Sequence, residues 1–149
     1  MEKLGIHVEI RVGKGRERLK TKLEAYAGLL ADCEKIIALV DSHCSDPSEV
    51  ERDFRIISNV QPCVVVHAIE SWLLADRNAL IRILRNSQLR TPQNPENFCR
   101  PEEELDNLFE KHGKRYLKGR DEKEIAEFMN LETVARKCPS FANFRTSLL

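Results

Sequence analysis

The chain has 149 residues, of which 42% are hydrophobic and 32% charged, enough for one domain with a single hydrophobic core. Its 24 lysines and arginines balance 24 aspartates and glutamates, so no overall charge attracts nucleic acid or a membrane. No segment approaches the roughly 18 consecutive apolar residues of a membrane span, and the first residues lack a signal-peptide pattern. We therefore expect a single cytoplasmic domain, residues 1–149, without a membrane partner.

The five cysteines form an odd set without any Cys-x-x-Cys pair. This pattern favours reduced thiols over a disulfide framework. A zinc site could instead be assembled from His43, Cys44, Cys63 and His67. Their spacing, however, matches none of the usual zinc-ligand patterns.

The first forty residues predict a strand, a helix and a second strand. Residues 5–12 alternate apolar and polar side chains, which is typical of a half-buried strand near a sheet edge. After a turn with two glycines, apolar residues recur at helical spacing from about Arg16 to Ala31. The basic neighbours of the turn suit a phosphate, but it lacks a Walker pattern, and an ordinary strand-to-helix turn is the simpler interpretation.

The cleanest buried strand runs from Lys35 to Asp41 and ends in an acid. The carboxyl end of a central strand is a standard place for a divalent cation, because carboxylate oxygens suit Mg²⁺ or Mn²⁺. The next loop contains His43, and Asp46 then precedes a proline as the N-cap of a helix that reaches about Ile57. No such capping role explains Asp41.

The stretch from Pro62 to Asp76 joins a second buried strand to a helix with almost no loop. Val64 to Val66 are β-branched and apolar, and the apolar period becomes helical at His67. Glu70 lies three residues later, about 60° around the same helical face. Since functional groups gather at the carboxyl ends of parallel strands, we expect Glu70 and Asp41 to converge there.

A purely structural interpretation of the same stretch is open as well. His67 could simply end the strand, and Glu70 could be an acid favoured by the dipole of the first helical turn. Trp72 and Leu73 fit a hydrophobic core better than a substrate platform. Asp76 is a preferred N-cap for a second helix, from about Arg77 to Arg85.

The last third of the chain predicts a polar loop over residues 86–101, then helices over 102–111, from 121 onward and after Pro139. Between the first two of these helices lies a concentrated basic patch, in which Lys114, Arg115 and Lys118 flank Tyr116. Such a run is usually a solvated surface. It is also suited to the phosphates of a nucleic acid.

Three segments resemble family 4276 of the domains of unknown function, a Toprim-like group of short prokaryotic proteins. They are the strand that ends at Asp41, the signature His-Ala-Ile-Glu-Ser-Trp-Leu-Leu-Ala-Asp at 67–76, and the tail with Tyr116-Leu117-Lys118 and Cys138-Pro139-Ser140-Phe141. The resemblance extends from about Val12 to the end of the chain. It implies a Toprim-like α/β fold, acids that bind Mg²⁺ for phosphoryl chemistry on nucleic acid, and an ATPase partner in genome defence.

Two departures from the Toprim pattern bear on activity. The usual first strand ends in a catalytic glutamate, whereas Glu9 lies inside the predicted strand and the chain starts too late to include that glutamate. The second metal-binding aspartate, two residues beyond the first, is His43 here. Glu70 is the candidate substitute for the missing ligand.

The sequence therefore predicts a three-layer Toprim-like α/β domain with a small, mostly parallel sheet flanked by helices. The first functional hypothesis is a Mg²⁺- or Mn²⁺-dependent nuclease or related phosphoryl-transfer domain. Its metal ligands would be Asp41 and Glu70, its catalytic residues Glu70, His67 and His43, and its nucleic-acid-binding residues Lys114, Arg115 and Lys118. The alternative is a degenerate, non-catalytic domain that binds a partner protein such as a defence-linked ATPase.

Overall fold

A parallel pair of strands forms the centre of the protein. The computed structural model describes residues 7–149, and in it strand β1, Ile36–Asp41, pairs with strand β2, Val60–Val65, in parallel. The helices of the described chain are α1 Arg16–Leu29, α2 Pro47–Phe54, α3 Glu70–Leu73, α4 Arg77–Leu84, α5 Pro101–Lys111, α6 Asp121–Phe128, α7 Leu131–Lys137 and α8 Pro139–Leu148, with a short 3₁₀ helix at Pro95–Asn97. The predicted α/β fold with a small parallel sheet flanked by helices is confirmed. No helix within residues 7–149 is long and apolar enough to cross a bilayer.

Helix α2 is the crossover that makes the two strands parallel, because two such strands cannot be joined by a tight hairpin. The helix begins where the sequence predicts, since the Asp46 carboxylate accepts a hydrogen bond from the Ser48 amide at 2.8 Å. The strand register places Asp41 opposite Val65. As a result, the segments that follow β1 and β2 leave the sheet side by side, at the carboxyl ends of the two strands.

Three hydrophobic clusters fill the interior. The first lies between α1, α2 and the strands, and its buried side chains include Leu23, Val40 and Phe54. The second is formed by α3 to α6, with Leu80, Leu105, Phe109 and Ile125 buried at its centre. The third joins β2 and α3 to the last two helices, with Val65, Trp72, Val134 and Phe141 buried there.

Trp72 belongs to the core, as predicted. Its side chain is almost fully buried, and its ring centroid lies 5.0 Å from that of Phe141 in an edge-on arrangement. The indole N–H donates a hydrogen bond to the Ser140 hydroxyl at 2.9 Å, which satisfies the one polar atom of a buried tryptophan. The Trp72 ring therefore packs α8 against α3 and the end of β2, close in sequence to Glu70.

Asp76 caps helix α4 as predicted, and it also fixes a second helix. One carboxylate oxygen accepts hydrogen bonds from the Asn78 and Ala79 amides at 3.0 and 3.4 Å. The other oxygen accepts from the Asn130 amide at 2.6 Å, directly before α7. The buried carboxylate thus joins the N-terminal ends of two helices.

One prediction about local structure is wrong, and one helix was not predicted. Residues 7–12 are irregular rather than a strand, with Ile10 and Val12 67% and 66% exposed, while Gly5 and Ile6 lie outside the described residues. An alternating pattern needs a neighbouring strand to become a ladder, and in the described chain β1 pairs with β2. The helix predicted from Asp121 is present as α6, but the sequence reasoning missed α7, which begins after Asn130 because the Asn130 side chain accepts a hydrogen bond from the Thr133 amide at 3.0 Å.

The expectation of reduced cysteines is also wrong for one pair. Cys44 and Cys99 form a disulfide, with their Cα atoms 5.1 Å apart, within the usual range. The fold brings together two residues separated by 55 positions, which no cysteine spacing in the sequence indicates. Because the disulfide occupies Cys44, the zinc alternative loses one of its four ligands.

Candidate functional site

The turns after the two strands extend the sheet by two backbone hydrogen bonds and one side-chain hydrogen bond. The Ser42 amide donates to the Val65 carbonyl at 2.9 Å, and the His43 amide donates to the His67 carbonyl at 2.7 Å. The fully buried Ser42 hydroxyl then accepts from the His67 amide at 2.8 Å. Residues 42–43 and 66–67 are therefore joined at the carboxyl ends of the strands, and we call this unit the rigid edge.

Both histidines at this edge adopt a backbone conformation that favours glycine. The φ angle is +51° at His43 and +63° at His67. This left-handed conformation costs a residue with a side chain of the order of 1 kcal/mol, which the hydrogen bonds of the edge offset. Strained backbone of this kind concentrates at functional sites, and neither angle was predictable from the sequence.

The His67 ring is oriented by the neighbouring turn. Its Nδ1 atom contacts the carbonyl oxygen of His43. Because a carbonyl only accepts, a hydrogen bond here requires a proton on Nδ1, and in that tautomer Nε2 is the proton acceptor. The His43 side chain is exposed, whereas His67 is half-buried.

Glu70 is a fully buried acid whose charge is compensated from one side. Its Oε1 atom lies 2.9 Å from the ammonium of Lys118, whose side chain is 66% exposed. Within the described chain, neither carboxylate oxygen receives a hydrogen bond of good geometry. The 2.9 Å separation still defines an ion pair, because Coulomb attraction depends on distance rather than on bond direction. A second acid, Glu102 in α5, lies 3.8 Å from the same ammonium.

Asp41 and Glu70 lie close enough to repel each other. The pKa of the Asp41 carboxyl is raised, chiefly by burial and further by the charge of Glu70. His43, Lys118 and the backbone amide of Ile69 act in the opposite direction. The structure thus brings the two predicted metal ligands to the same end of the sheet.

The donor set at this end suits a hard divalent cation. Mg²⁺ typically takes one or two carboxylates and keeps several waters, whereas imidazole ligands suit softer metals. The unsatisfied oxygens of Glu70 are such donors. No group of three histidine, cysteine, aspartate or glutamate residues in 7–149 is arranged to hold a metal ion. The remaining ligands of a cation here would be backbone, hydroxyl, water or substrate oxygens.

The predicted basic patch is divided by the fold. The Lys118 ammonium is directed to Glu70, whereas the Lys114 ammonium donates to the Ile83 carbonyl at 2.8 Å, near the end of α4. Arg115 between them is exposed. Lys118 is therefore the member of this patch that contacts the carboxylates.

Three participants at this site were missed by the sequence reasoning. Ser42 supplies the hydroxyl of the rigid edge, Glu102 approaches Lys118, and the buried Tyr116 has its pKa raised chiefly by burial and further by the charges of Glu122 and Glu70. Ser42 directly follows a buried strand, which is the one signal that marks it. Nothing local distinguishes Tyr116 from an aromatic residue on a solvated basic surface.

Comparison with known proteins gives a family but no activity. A family model described as Domain of unknown function (DUF4276) matches residues 10–149. The chain belongs to this family. Its description names no reaction, cofactor or partner, so the Toprim-like character of the fold stays a prediction. No curated protein and no solved structure matches the chain.

Proposed function

We propose that the chain is a Mg²⁺- or Mn²⁺-dependent phosphoryl-transfer domain that acts on nucleic acid, with Asp41 and Glu70 as the cation ligands. The main support is Glu70, a fully buried carboxylate whose Oε2 has no hydrogen-bond partner among the described residues and whose Oε1 faces the exposed ammonium of Lys118. Burying an ionised carboxylate costs several kcal/mol unless its charge is well compensated. A divalent cation between Glu70 and Asp41 would supply that compensation and would relieve their mutual repulsion.

Lys118 has two roles in this proposal. Without a cation, its ammonium is the closest positive charge to Glu70, at 2.9 Å. Because 66% of the side chain is exposed and its stem is flexible, the ammonium can turn from Glu70 to a phosphate when a cation binds. Arg115, which is exposed, and Lys114 would contact phosphates further along the backbone of the nucleic acid.

His67 is the residue best placed to move a proton. With Nδ1 held at the His43 carbonyl, Nε2 can accept a proton from an attacking water or return it to a leaving oxygen. His43 itself is exposed and contributes its carbonyl to this orientation. When bound, Mg²⁺ supplies positive charge that stabilises a phosphate as negative charge develops on it.

Two observations favour the second candidate, a non-catalytic domain that binds a partner protein such as a defence-linked ATPase. No third histidine, cysteine, aspartate or glutamate joins the two acids in a metal-binding group among the described residues, and His43 stands where the Toprim pattern has an aspartate. In that case the ion pair between the buried Glu70 and the exposed Lys118 would have a structural role. The chain would then bind nucleic acid or its partner without cleaving a phosphodiester.

The test is a cleavage assay with single- and double-stranded DNA and RNA, with and without Mg²⁺ or Mn²⁺. We expect cleavage that requires the cation and stops with chelator. Asp41→Asn should abolish it, because the amide keeps the shape but loses the charge that holds the cation. Asp53→Asn is the matched control, since Asp53 is exposed on α2. Absence of cleavage with every metal, together with no cation-induced rise in melting temperature, would favour the non-catalytic domain.

A further inference from the structure

The small sheet leaves one long side of β1 without a strand partner among residues 7–149. The sheet has two strands there, so β1 pairs with β2 on one side, and we call the opposite side of β1 the free side. A strand side of this kind is a template for a further strand, and proteins usually protect it with prolines, charges or a covering element. Strand β2 has such protection, because Pro62 cannot donate to a ladder and Gln61 donates a hydrogen bond to Ser147 of α8 at 3.1 Å. In β1, neither a proline nor a charge precedes Asp41.

The composition of β1 is that of a strand with neighbours on both sides. Its five residues before Asp41 are all apolar, and a continuous apolar run is typical of a strand inside a parallel sheet. Helices α1 and α2 cover one face of the sheet, and the last two helices pack against Leu39 on the other. Nevertheless Ile36, Ile37 and Leu39 are only half-buried. What β1 lacks is therefore a neighbouring strand on its free side.

Residues 7–12, which we call the arm, have the pattern of a strand but no ladder. The apolar side chains of Val8, Ile10 and Val12 alternate with polar ones and are exposed. Glu9 and Arg11 form an ion pair at 3.7 Å, which fits an extended backbone, since side chains two residues apart then lie on the same side. The arm has the same length as β1, which has six residues.

The base of the arm is fixed to α1 of its own chain. The Val12 carbonyl accepts a hydrogen bond from the Tyr26 hydroxyl at 3.1 Å. Gly13 approaches α1 so closely that a Cβ atom on it would lie 2.5 Å from the Cβ of Leu19. The arm thus extends from a fixed point with its apolar side chains in solvent, and in the single chain it is not paired with β1.

We propose that the arm of one copy pairs with the free side of β1 in a second copy, and that the exchange is reciprocal in a two-fold dimer. Each chain carries one arm and one free side, so two copies complete each other, and exchange of an identical element is a low-cost route to a dimer. Main-chain hydrogen bonds to β1 would supply the ladder, and the apolar side chains of the arm would leave water. A different protein that added a strand to β1 would leave the arm of this chain exposed, so self-complementarity favours a second copy.

The experiment measures the molar mass of the full chain by size-exclusion chromatography with light scattering over a range of protein concentrations. We expect a concentration-dependent equilibrium between one and two copies. Ile10→Asp should weaken dimerisation about a hundredfold, because the dimer contains two substituted positions and lost burial of each isoleucine costs about tenfold. Ile56→Asp is the matched control, since Ile56 is 57% exposed against 67% for Ile10 and lies outside the arm. It should dimerise like wild type.

Isotope-filtered NMR on a mixture of labelled and unlabelled wild type identifies the paired segments without any substitution. We expect contacts between residues 7–12 of one copy and residues 36–41 of the other. A chain that stays monomeric at every concentration would overturn the inference, also if its arm pairs with its own β1. A dimer that Ile10→Asp leaves intact would overturn it too, as would filtered contacts that lie outside the arm and β1, because the copies would then meet at another surface. If Ile10→Asp loses the helical circular dichroism of wild type, the filtered contacts alone decide.

Discussion

Replacing Lys118 by methionine should destabilise the cation-free protein, because Glu70 would remain buried without a counter-charge. Charges 2.9 Å apart interact with about 6 kcal/mol at an effective dielectric constant of about 20, and with about 1.4 kcal/mol in bulk water. Since the Lys118 side chain is 66% exposed, solvent screens the pair and desolvation offsets part of the attraction. We expect a coupling free energy between Lys118 and Glu70 of about 2 kcal/mol, closer to the bulk-water value than to the value at a dielectric constant of about 20.

The assay is a double-mutant cycle by urea unfolding at pH 7 in chelator, with wild type, Lys118→Met, Glu70→Gln and the double variant. Lys118→Met should lower the free energy of unfolding more in wild type than in the Glu70→Gln variant. The difference between the two losses is the coupling free energy. Arg115→Met is the matched control, because it removes an exposed charge of the same basic patch and should change stability by less than about 0.5 kcal/mol. A coupling free energy below about 0.5 kcal/mol would refute the assignment of Lys118 as the counter-charge of Glu70.

The remaining predictions concern the core, the pH dependence and the disulfide. Leu73→Ala truncates a buried side chain that is 4% exposed, and it should lower the free energy of unfolding in urea by about 2–5 kcal/mol; a change below about 0.5 kcal/mol would contradict this packing. For Asp41, the native pKa lies above the ordinary 3.8, so the native state binds more protons between the two values and the contribution of Asp41 to stability should fall as pH rises through that window. Asp41→Asn removes this contribution, so stability relative to wild type should rise with pH in thermal unfolding from pH 3.5 to 7 in chelator, and a pH-independent difference would disprove the assignment. Replacing Cys44 and Cys99 by serine should cost about 4 kcal/mol by the chain-entropy estimate for the 55-residue separation, with reductant lowering the urea midpoint of wild type but not of the variant.

The sequence predicts local structure well where the signal itself is local. The apolar run before Asp41 and the capping residues Asp46 and Asp76 act within a few positions, and the structure has a strand and two helices there. The strand predicted over residues 7–12 is absent because a strand also needs a distant partner strand, which no local pattern supplies.

In the candidate site, too, the sequence does not predict contacts between segments that are distant in the chain. The positions of Asp41 and Glu70 follow from the rule that parallel strands end at one edge, so their approach was predictable. The contact between Glu70 and Lys118, the burial of Tyr116 and the Cys44–Cys99 bond each join segments that are far apart in the chain. A single sequence contains no pairwise signal for such contacts, so Lys118 was assigned to phosphate binding alone.

The carboxylate of Asp76 links the unfolding of two regions that the chain order separates. Because it serves the start of α4 and the Asn130 amide together, detaching α7 leaves a buried acceptor oxygen without its donor. Local opening of the last two helices therefore weakens the helical core that contains Leu80. Helices α7 and α8 should therefore open as part of one cooperative unit with α4, and their amide protons should exchange with solvent at rates close to those of the core.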